Sequence, residues 1–292
     1  MATLSDTTTL FSVQGQVAVV TGGATGIGLM IAAALENNGA IVYIVGRRKE
    51  ALEKAAKERS KHGNIIPIQG DISSKDSLKS VAETIKQKHG YINLLVNNAG
   101  VLLAPQPKLP TPADTGNDIT KLQEILWNTE TPETFRTTFD VNVAGVWFTT
   151  LAFLELLHEG NKRSLAPGGS GVSSQVITIS SLAALRRDSG IFSLSYTVSK
   201  AAVLHLGKLM AHYLKDWKIR SNIINPGLYP SEMADGFISE DAIKATIPVG
   251  RAGSTDDMAG LVIFLASKAG SYIDGGVHLT DGGRLLSMPS VF

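Results

Sequence analysis

The stretch Val17-Ala18-Val19-Val20-Thr21-Gly22-Gly23-Ala24-Thr25-Gly26-Ile27-Gly28 runs from uninterrupted apolar residues into a cluster of glycines. The apolar run reads as a buried strand, and the segment after it, ending at Asn38-Gly39, reads as a helix. Glycines at such a turn let the backbone bend sharply and approach a ligand, while the helix N-terminus offers unpaired N–H groups and a positive dipole end. Strand, glycines, helix and second strand in this order predict a dinucleotide fingerprint, with Gly22, Thr25, Gly26 and Gly28 at the pyrophosphate. A plain glycine-rich turn is the competing reading.

Working outward, the second apolar run ends in Val45-Gly46-Arg47-Arg48-Lys49. NAD sites carry a carboxylate there to accept hydrogen bonds from the ribose 2′-hydroxyl. A basic cluster suits a 2′-phosphate instead, because a guanidinium pairs with it bidentately, so NADP(H) is favoured over NAD(H) with Arg47 and Arg48 as its readers. Alternatively, the cluster only opens a solvated helix. Gly70-Asp71-Ile72 closes the third run and Asn97-Asn98-Ala99-Gly100 the fourth, both where adenine and ribose would pass. Ala99 and Gly100 permit close approach, although each segment alone is ordinary turn sequence.

Apolar runs alternate with amphipathic segments along the rest of the chain. Candidate strands are Val17 to Thr21, Ile41 to Val45, Ile65 to Ile68, Ile92 to Val96, Gln175 to Ser180, Arg220 to Ile224 and Val277 to Leu279. They lack strict polar alternation, as parallel strands covered on both faces do. Leu78, Val81, Ala82 and Ile85 form a helical stripe between the third and fourth. With 292 residues, 43% of them hydrophobic, one large α/β domain over 15–292 after an extension of 1–14 is the economical reading. Residues 104–120, with Pro105, Pro107, Pro110 and Pro112, read as a surface excursion within an insertion at about 104–130, and residues 160–174 as a flexible loop.

Composition excludes several classes of function. A net charge of +1 supplies no field for nucleic acid or an anionic membrane. Absent cysteine removes disulfides, thiolate nucleophiles and Cys-based metal sites. The six histidines include no His-Glu-x-x-His, so no metal is expected. Ser170 lacks the final glycine of a nucleophile elbow, and Gly168 to Gly171 lacks the Lys-Ser/Thr of a P-loop. No apolar run approaches a membrane span, and the first fourteen residues, without Lys or Arg, fit no secretory or transit peptide, so a cytoplasmic location is expected.

The catalytic signal lies farther on. Ser180 and Ser181 end a strand, and Tyr196 and Lys200 share one face of the following helix. An ammonium beside a phenol stabilises phenolate and brings its pKa towards the range where it exchanges protons efficiently, while a serine hydroxyl orients a carbonyl or alcohol oxygen. Taken alone, a Tyr and a Lys four apart would also suit an exposed surface pair.

Thr21 to Gly28, Asp71, Asn97 to Gly100, Asn142, Ser181, Tyr196 with Lys200, and Asn225-Pro226-Gly227 together resemble, in order, the motifs of the short-chain dehydrogenase/reductases over about residues 14–284. The resemblance implies a Rossmann-like, doubly wound domain and a catalytic tetrad of Asn142, Ser181, Tyr196 and Lys200. Tyr196 would be the general acid of carbonyl reduction, Ser181 would hold the substrate oxygen, and Ser180 is the competing serine. Lys200 would lower the Tyr196 pKa and bind the nicotinamide ribose, and Asn142 would hold a water of the proton relay. The resemblance also places Ile27 at the pyrophosphate, Pro226 and Gly227 beside the cofactor, and Ser231 at its carboxamide. Pro230 to Met233 and Pro248 to Gly253 look like segments of 3-ketoacyl reductases, particularly the rhamnolipid branch.

These features predict an NADPH-dependent ketoreductase transferring the pro-S hydride, with a ketone or alcohol as partner. A cofactor-assisted isomerisation, epimerisation or cyclisation, and a non-catalytic NADPH sensor, are the alternatives. Both the 104–130 insertion and the 182–195 loop, which holds Arg186 and Arg187, should border the substrate. The arginine doublet reads either as solvated loop or as a greeting for an acidic substrate or a thioester's phosphates. Residues 229–247, with Gly236, suggest a mobile lid. Helices from about Val141 to Leu157 and Tyr196 to Leu214 carry extra apolar faces, matching those on which the family's tetramers pack, so a homotetramer is expected, or else a dimer.

Overall fold

The apolar runs form seven strands: β1 (Val17–Thr21), β2 (Ile41–Gly46), β3 (Ile65–Gln69), β4 (Leu94–Asn97), β5 (Gln175–Ile179), β6 (Arg220–Pro226) and β7 (Val277–Thr280). The computed structural model describes residues 6–188, 193–233 and 239–291. All strand pairs are parallel, in the order β3-β2-β1-β4-β5-β6-β7. Ala18 lies beside Val42 of β2 on one side and Leu94 of β4 on the other. The winding direction reverses between β1 and β4, and such a reversal leaves a crevice at the carboxyl ends of the strands.

Helices cover both faces, as the unbroken apolar strands require. α1 (Thr7–Leu10) precedes the sheet, and α2 (Gly26–Asn37), α3 (Lys49–Arg59) and α4 (Lys75–His89) connect the first four strands. After β4 come α5 (Pro112–Thr115), α6 (Ile119–Thr129), α7 (Pro132–Phe139), α8 (Gly145–Ala152) and α9 (Leu154–Ser164). α10 (Leu194–Leu214), α11 (Glu240–Thr246) and α12 (Thr255–Ala266) complete the set. Ala18 and Val20 face Ile31 and Leu35 of α2 and Val262 of α12, whereas Val17 and Val19 face Ile85 of α4, Leu157 of α9 and Met210 of α10. Each fully buried aliphatic side chain contributes roughly 1.5–3 kcal/mol, so alternation along one strand binds two helical layers to one sheet.

Three local expectations change. The helix expected from Val141 begins as a π-helical turn, Asp140–Ala144, and bends by 51° between Ala152 and Leu154. The bend keeps Leu156 and Leu157 on the same side of the sheet as Val146. The supposed flexible loop starts as helix, because α9 continues to Ser164: Asn161 donates to the carbonyls of Trp217 and Lys218 and accepts from the Ser174 N–H at 2.6 Å. The proline-rich excursion also contains helix. Thr111, Pro112 and Asp114 make a capping box with proline in the first turn of α5, and Asp118 caps α6.

Candidate active site

The crevice between β1 and β4 opens into a cleft of about 330 Å³. Gly22, Thr25, Gly26, Ile27, Arg47, Arg48, Asp71, Ile72, Asn98, Ala99, Gly100, Tyr196, Lys200 and Ser231 line it. Gly22 adopts φ +64°, and a Cβ there would lie 2.9 Å from the Ala99 Cα. A Cβ on Gly28 would fall 2.2 Å from the Gly22 carbonyl oxygen, so the turn closes only without a side chain. Thr25 precedes α2 in extended geometry and makes no side-chain cap. The first-turn N–H groups of α2 therefore keep their hydrogen-bonding capacity for an anion, which is the donor chemistry that a pyrophosphate needs.

Asn98 acts on the loop itself. Its Nδ2 donates to the carbonyls of Thr21 at 3.0 Å and Gly22 at 3.1 Å, while the Thr21 hydroxyl accepts from the N–H groups of Asn98 and Ala99. Asp71 accepts from the Ser73 hydroxyl and N–H; these bonds, with the nearby Arg47 charge, hold its carboxyl below the usual range. Arg47 lies on the cleft wall, and Arg48 reaches across to Glu232 at 2.9 Å. That pair is exposed on both sides, so solvent screening makes it cheap to exchange for a phosphate.

A second cavity of about 100 Å³ adjoins the cleft. The two share Ile27, Ser180, Tyr196, Ser231 and Met233, which puts Tyr196 at their junction. α10 positions it: Ser193 caps the helix by accepting from the Tyr196 N–H, and one carboxylate oxygen of Glu130 accepts from the Ser193 hydroxyl and from the Ser195 N–H and hydroxyl. Lys200, one turn on, is buried with Nζ donating to the Ile179 carbonyl at 3.0 Å, and it sits 5.6 Å from the Tyr196 ring centroid.

The two serines separate by their bonds. Ser180 spends its proton on the Lys200 carbonyl at 2.7 Å. The Ser181 oxygen accepts from the Ala183 N–H at 3.1 Å, and Ser181 lines the second cavity together with Tyr196. Burial pushes the Tyr196 phenol above its ordinary pKa, and the Ser181 side chain opposes the rise. Burial also draws the Lys200 ammonium down to about 8.

Asn142 stands on the π-helical turn, a deformation found often at functional sites. Its Nδ2 donates to the Val101 carbonyl and the Ser199 hydroxyl, each at 3.0 Å, and its Oδ1 accepts from the Val101 N–H at 2.8 Å. The side chain is therefore a tie between the strand-end loop and α10, with one acceptor lone pair of Oδ1 left over.

Pro226, Gly227, Tyr229 and Leu182 line the second cavity, but no residue of 104–130 does. The expected contribution of the insertion is corrected: it holds the site at a distance, through Glu130. Ser189 to Phe192 of the loop and Gly236 of the supposed lid lie outside the described residues. Sequence reading missed Glu130 and Arg284, which reaches the second cavity from beyond β7; a lone charged residue in a loop or at the start of a single 3₁₀ turn carries no periodic or motif signal. Among the described residues no three His, Asp or Glu side chains are grouped to hold a metal ion, and no single helix is long and apolar enough to cross a membrane.

Comparison with known proteins agrees with this architecture. A family model described as Enoyl-(Acyl carrier protein) reductase matches residues 22–284. The chain is 50% identical over 290 residues to the short-chain dehydrogenase/reductase PhomF of Diaporthe leptostromiformis, covering 97% of this chain and 96% of the relative. It is 32% identical over 277 residues to the rhamnolipids biosynthesis 3-oxoacyl-(acyl-carrier-protein) reductase of Pseudomonas aeruginosa, covering 94% and 97%. The solved Pseudomonas aeruginosa RhlG/NADP active-site complex is similar with a TM-score of 0.80 at 31% identity, covering 94% and 98%. With a glycine-rich cleft, a Tyr-Lys pair at its floor and full-length relatives of this kind, the chain belongs to the short-chain dehydrogenase/reductase family.

Proposed function

We propose that the protein is a cytoplasmic NADPH-dependent ketoreductase, reducing a ketone to a secondary alcohol. The observation that carries this reading is the placement of Tyr196 at the junction of the cofactor-sized cleft and the second cavity, which Ser181 also lines. Bound NADPH supplies a hydride to the carbonyl carbon. Ser181 donates its hydroxyl proton as a hydrogen bond to the substrate oxygen, since its own oxygen is already oriented by the Ala183 N–H. Tyr196 transfers its phenolic proton to that oxygen as charge develops there, and burial, by keeping the phenol protonated, suits it to act as acid. Lys200 then stabilises the phenolate, and Asn142 with Ser199 holds the helix that carries both.

The test follows consumption of reduced nicotinamide with a panel of β-ketoesters, β-ketoacyl thioesters, and cyclic and aryl ketones. Tyr196-dependent loss of NADPH supports the reading, whereas binding without consumption points to non-redox chemistry or a sensor. Arg47→Ala combined with Arg48→Ala should weaken NADPH by about 10- to 100-fold while leaving NADH nearly unchanged, as loss of charge-assisted phosphate bonds requires. Equal losses in titrations with the two cofactors would remove the cluster from 2′-phosphate recognition.

A homotetramer is part of the proposal. Leu151 of α8 and Val198, Leu209 and Tyr213 of α10 stay 38–57% exposed, an apolar surface that a neighbouring copy would cover. Light scattering after size exclusion should show four chains at micromolar protein; a monomer would count against it.

A further inference from the structure

Arg220 and Arg284 are both almost fully enclosed by the protein, and they are treated very differently. Arg220, 5% exposed, donates to the Ser173 hydroxyl, the Gln175 amide oxygen and the carbonyls of Leu265, Gly270 and Ile273. Arg284, 7% exposed, has a buried Nε with no hydrogen-bond partner and forms neither a side-chain hydrogen bond nor an ion pair among the described residues. An enclosed guanidinium without a partner is costly and persists where something else satisfies it.

The surroundings show what is missing. Arg284 follows the Asp281-Gly282-Gly283 turn after β7 and lines the second cavity, the same cavity that Ser181 and Tyr196 face. The charged groups that influence it are Asp281 and Arg186. Asp281 spends its two oxygens on the N–H groups of Gly283 and Leu285 and makes no ion pair with Arg284. Arg186 lines the same cavity, adds a second positive charge, and is held in a two-pronged pair with Asp188 at 2.6 and 3.1 Å. Burial and the Arg186 charge both disfavour the charged form of Arg284. The tail locks this arrangement: Arg187 N–H donates to Pro289 and Val291 N–H to Leu185.

We propose that Arg284 is the anion-recognition residue of the substrate cavity, and that the substrate is a ketone bearing a carboxylate. A carboxylate matches the planar guanidinium fork, and it would neutralise the uncompensated charge in a small cavity otherwise lined largely by Leu102, Leu182, Pro226 and Met233. Selectivity comes from the same physics: a neutral ester would leave Arg284 unpaired and desolvated. The inference rests on the ketoreductase reading for what the cavity holds, while its binding arm needs no turnover.

The experiment uses the full-length protein loaded with NADP+ and titrates it calorimetrically with β-, γ- and δ-hydroxy acids and their methyl esters. In parallel, NADPH consumption is measured with the corresponding oxo acids and esters. Wild type should bind the best acid about 10- to 100-fold more tightly than its ester. Arg284→Met should abolish that preference while retaining Tyr196-dependent turnover of the ester, and Arg284→Lys should recover part of the preference. Thermal melting checks that both variants fold. Equal affinity of wild type for acids and esters, or an acid preference that survives in a folded Arg284→Met, overturns the proposal. Acid preference lost in Arg284→Met, with no NADPH consumed by any variant, supports the anion site and rejects the ketoreductase reading instead.

Discussion

Tyr196→Phe should lower the rate of ketone reduction by about 10³- to 10⁴-fold, the upper range for loss of a positioned general acid. The substitution removes one oxygen and keeps the ring, so the packing at the start of α10 survives. The Ser193 cap and the Glu130 anchor both act through other atoms and should be untouched. NADPH affinity should therefore change by no more than about twofold, because the phenol contributes to the chemical step and little to ground-state binding. Single-turnover measurement with saturating NADPH separates the two quantities. A variant that binds NADPH and retains more than about a tenth of the wild-type rate would reject Tyr196 as the acid.

Lys200→Met should have two opposite effects. Reduction should fall by about 100-fold or more, since no cation remains to stabilise developing phenolate. Stability should rise, because the buried ammonium is drawn from 10.5 to about 8 by desolvation. Each unit corresponds to about 1.4 kcal/mol, and the Ile179 carbonyl left without its partner offsets part of the gain, so a net of about 2 kcal/mol at neutral pH is expected. The sign with pH follows from proton counting. Between about pH 8 and 10.5 the unfolded chain holds a proton on Lys200 that the folded chain has released, so wild-type stability rises across this window. The advantage of Lys200→Met, full below about pH 8, should thus shrink towards pH 10.5. Denaturant titrations of the two proteins at several pH values test it. A variant less stable than wild type at neutral pH would mean that the Lys200–Ile179 bond outweighs the cost of burying the charge.

Much of the fold was legible because its signals are local. Each strand is an apolar run, Leu78 to Ile85 is a helical stripe, and Gly22 to Gly28 marks a turn that a side chain would obstruct. The helices of the excursion were legible too, since Thr111-Pro112-Ala113-Asp114 is a capping box with proline in the first turn. Tyr196 and Lys200 could be placed on one helical face by spacing alone, although the preference for Ser181 over Ser180 came from family likeness.

The amino-acid sequence by itself determined the doubly wound sheet, the glycine-rich turn and the Tyr-Lys pair, because periodicity, backbone sterics and i, i+4 spacing act between near neighbours. Tertiary structure alone decided which serine keeps its proton, that Asn142 ties Val101 to Ser199, that Glu130 anchors the helix of Tyr196, and that Arg284 is enclosed without a partner. Those outcomes depend on burial and on hydrogen bonds between residues far apart in the chain, and desolvation has no counterpart in a linear pattern.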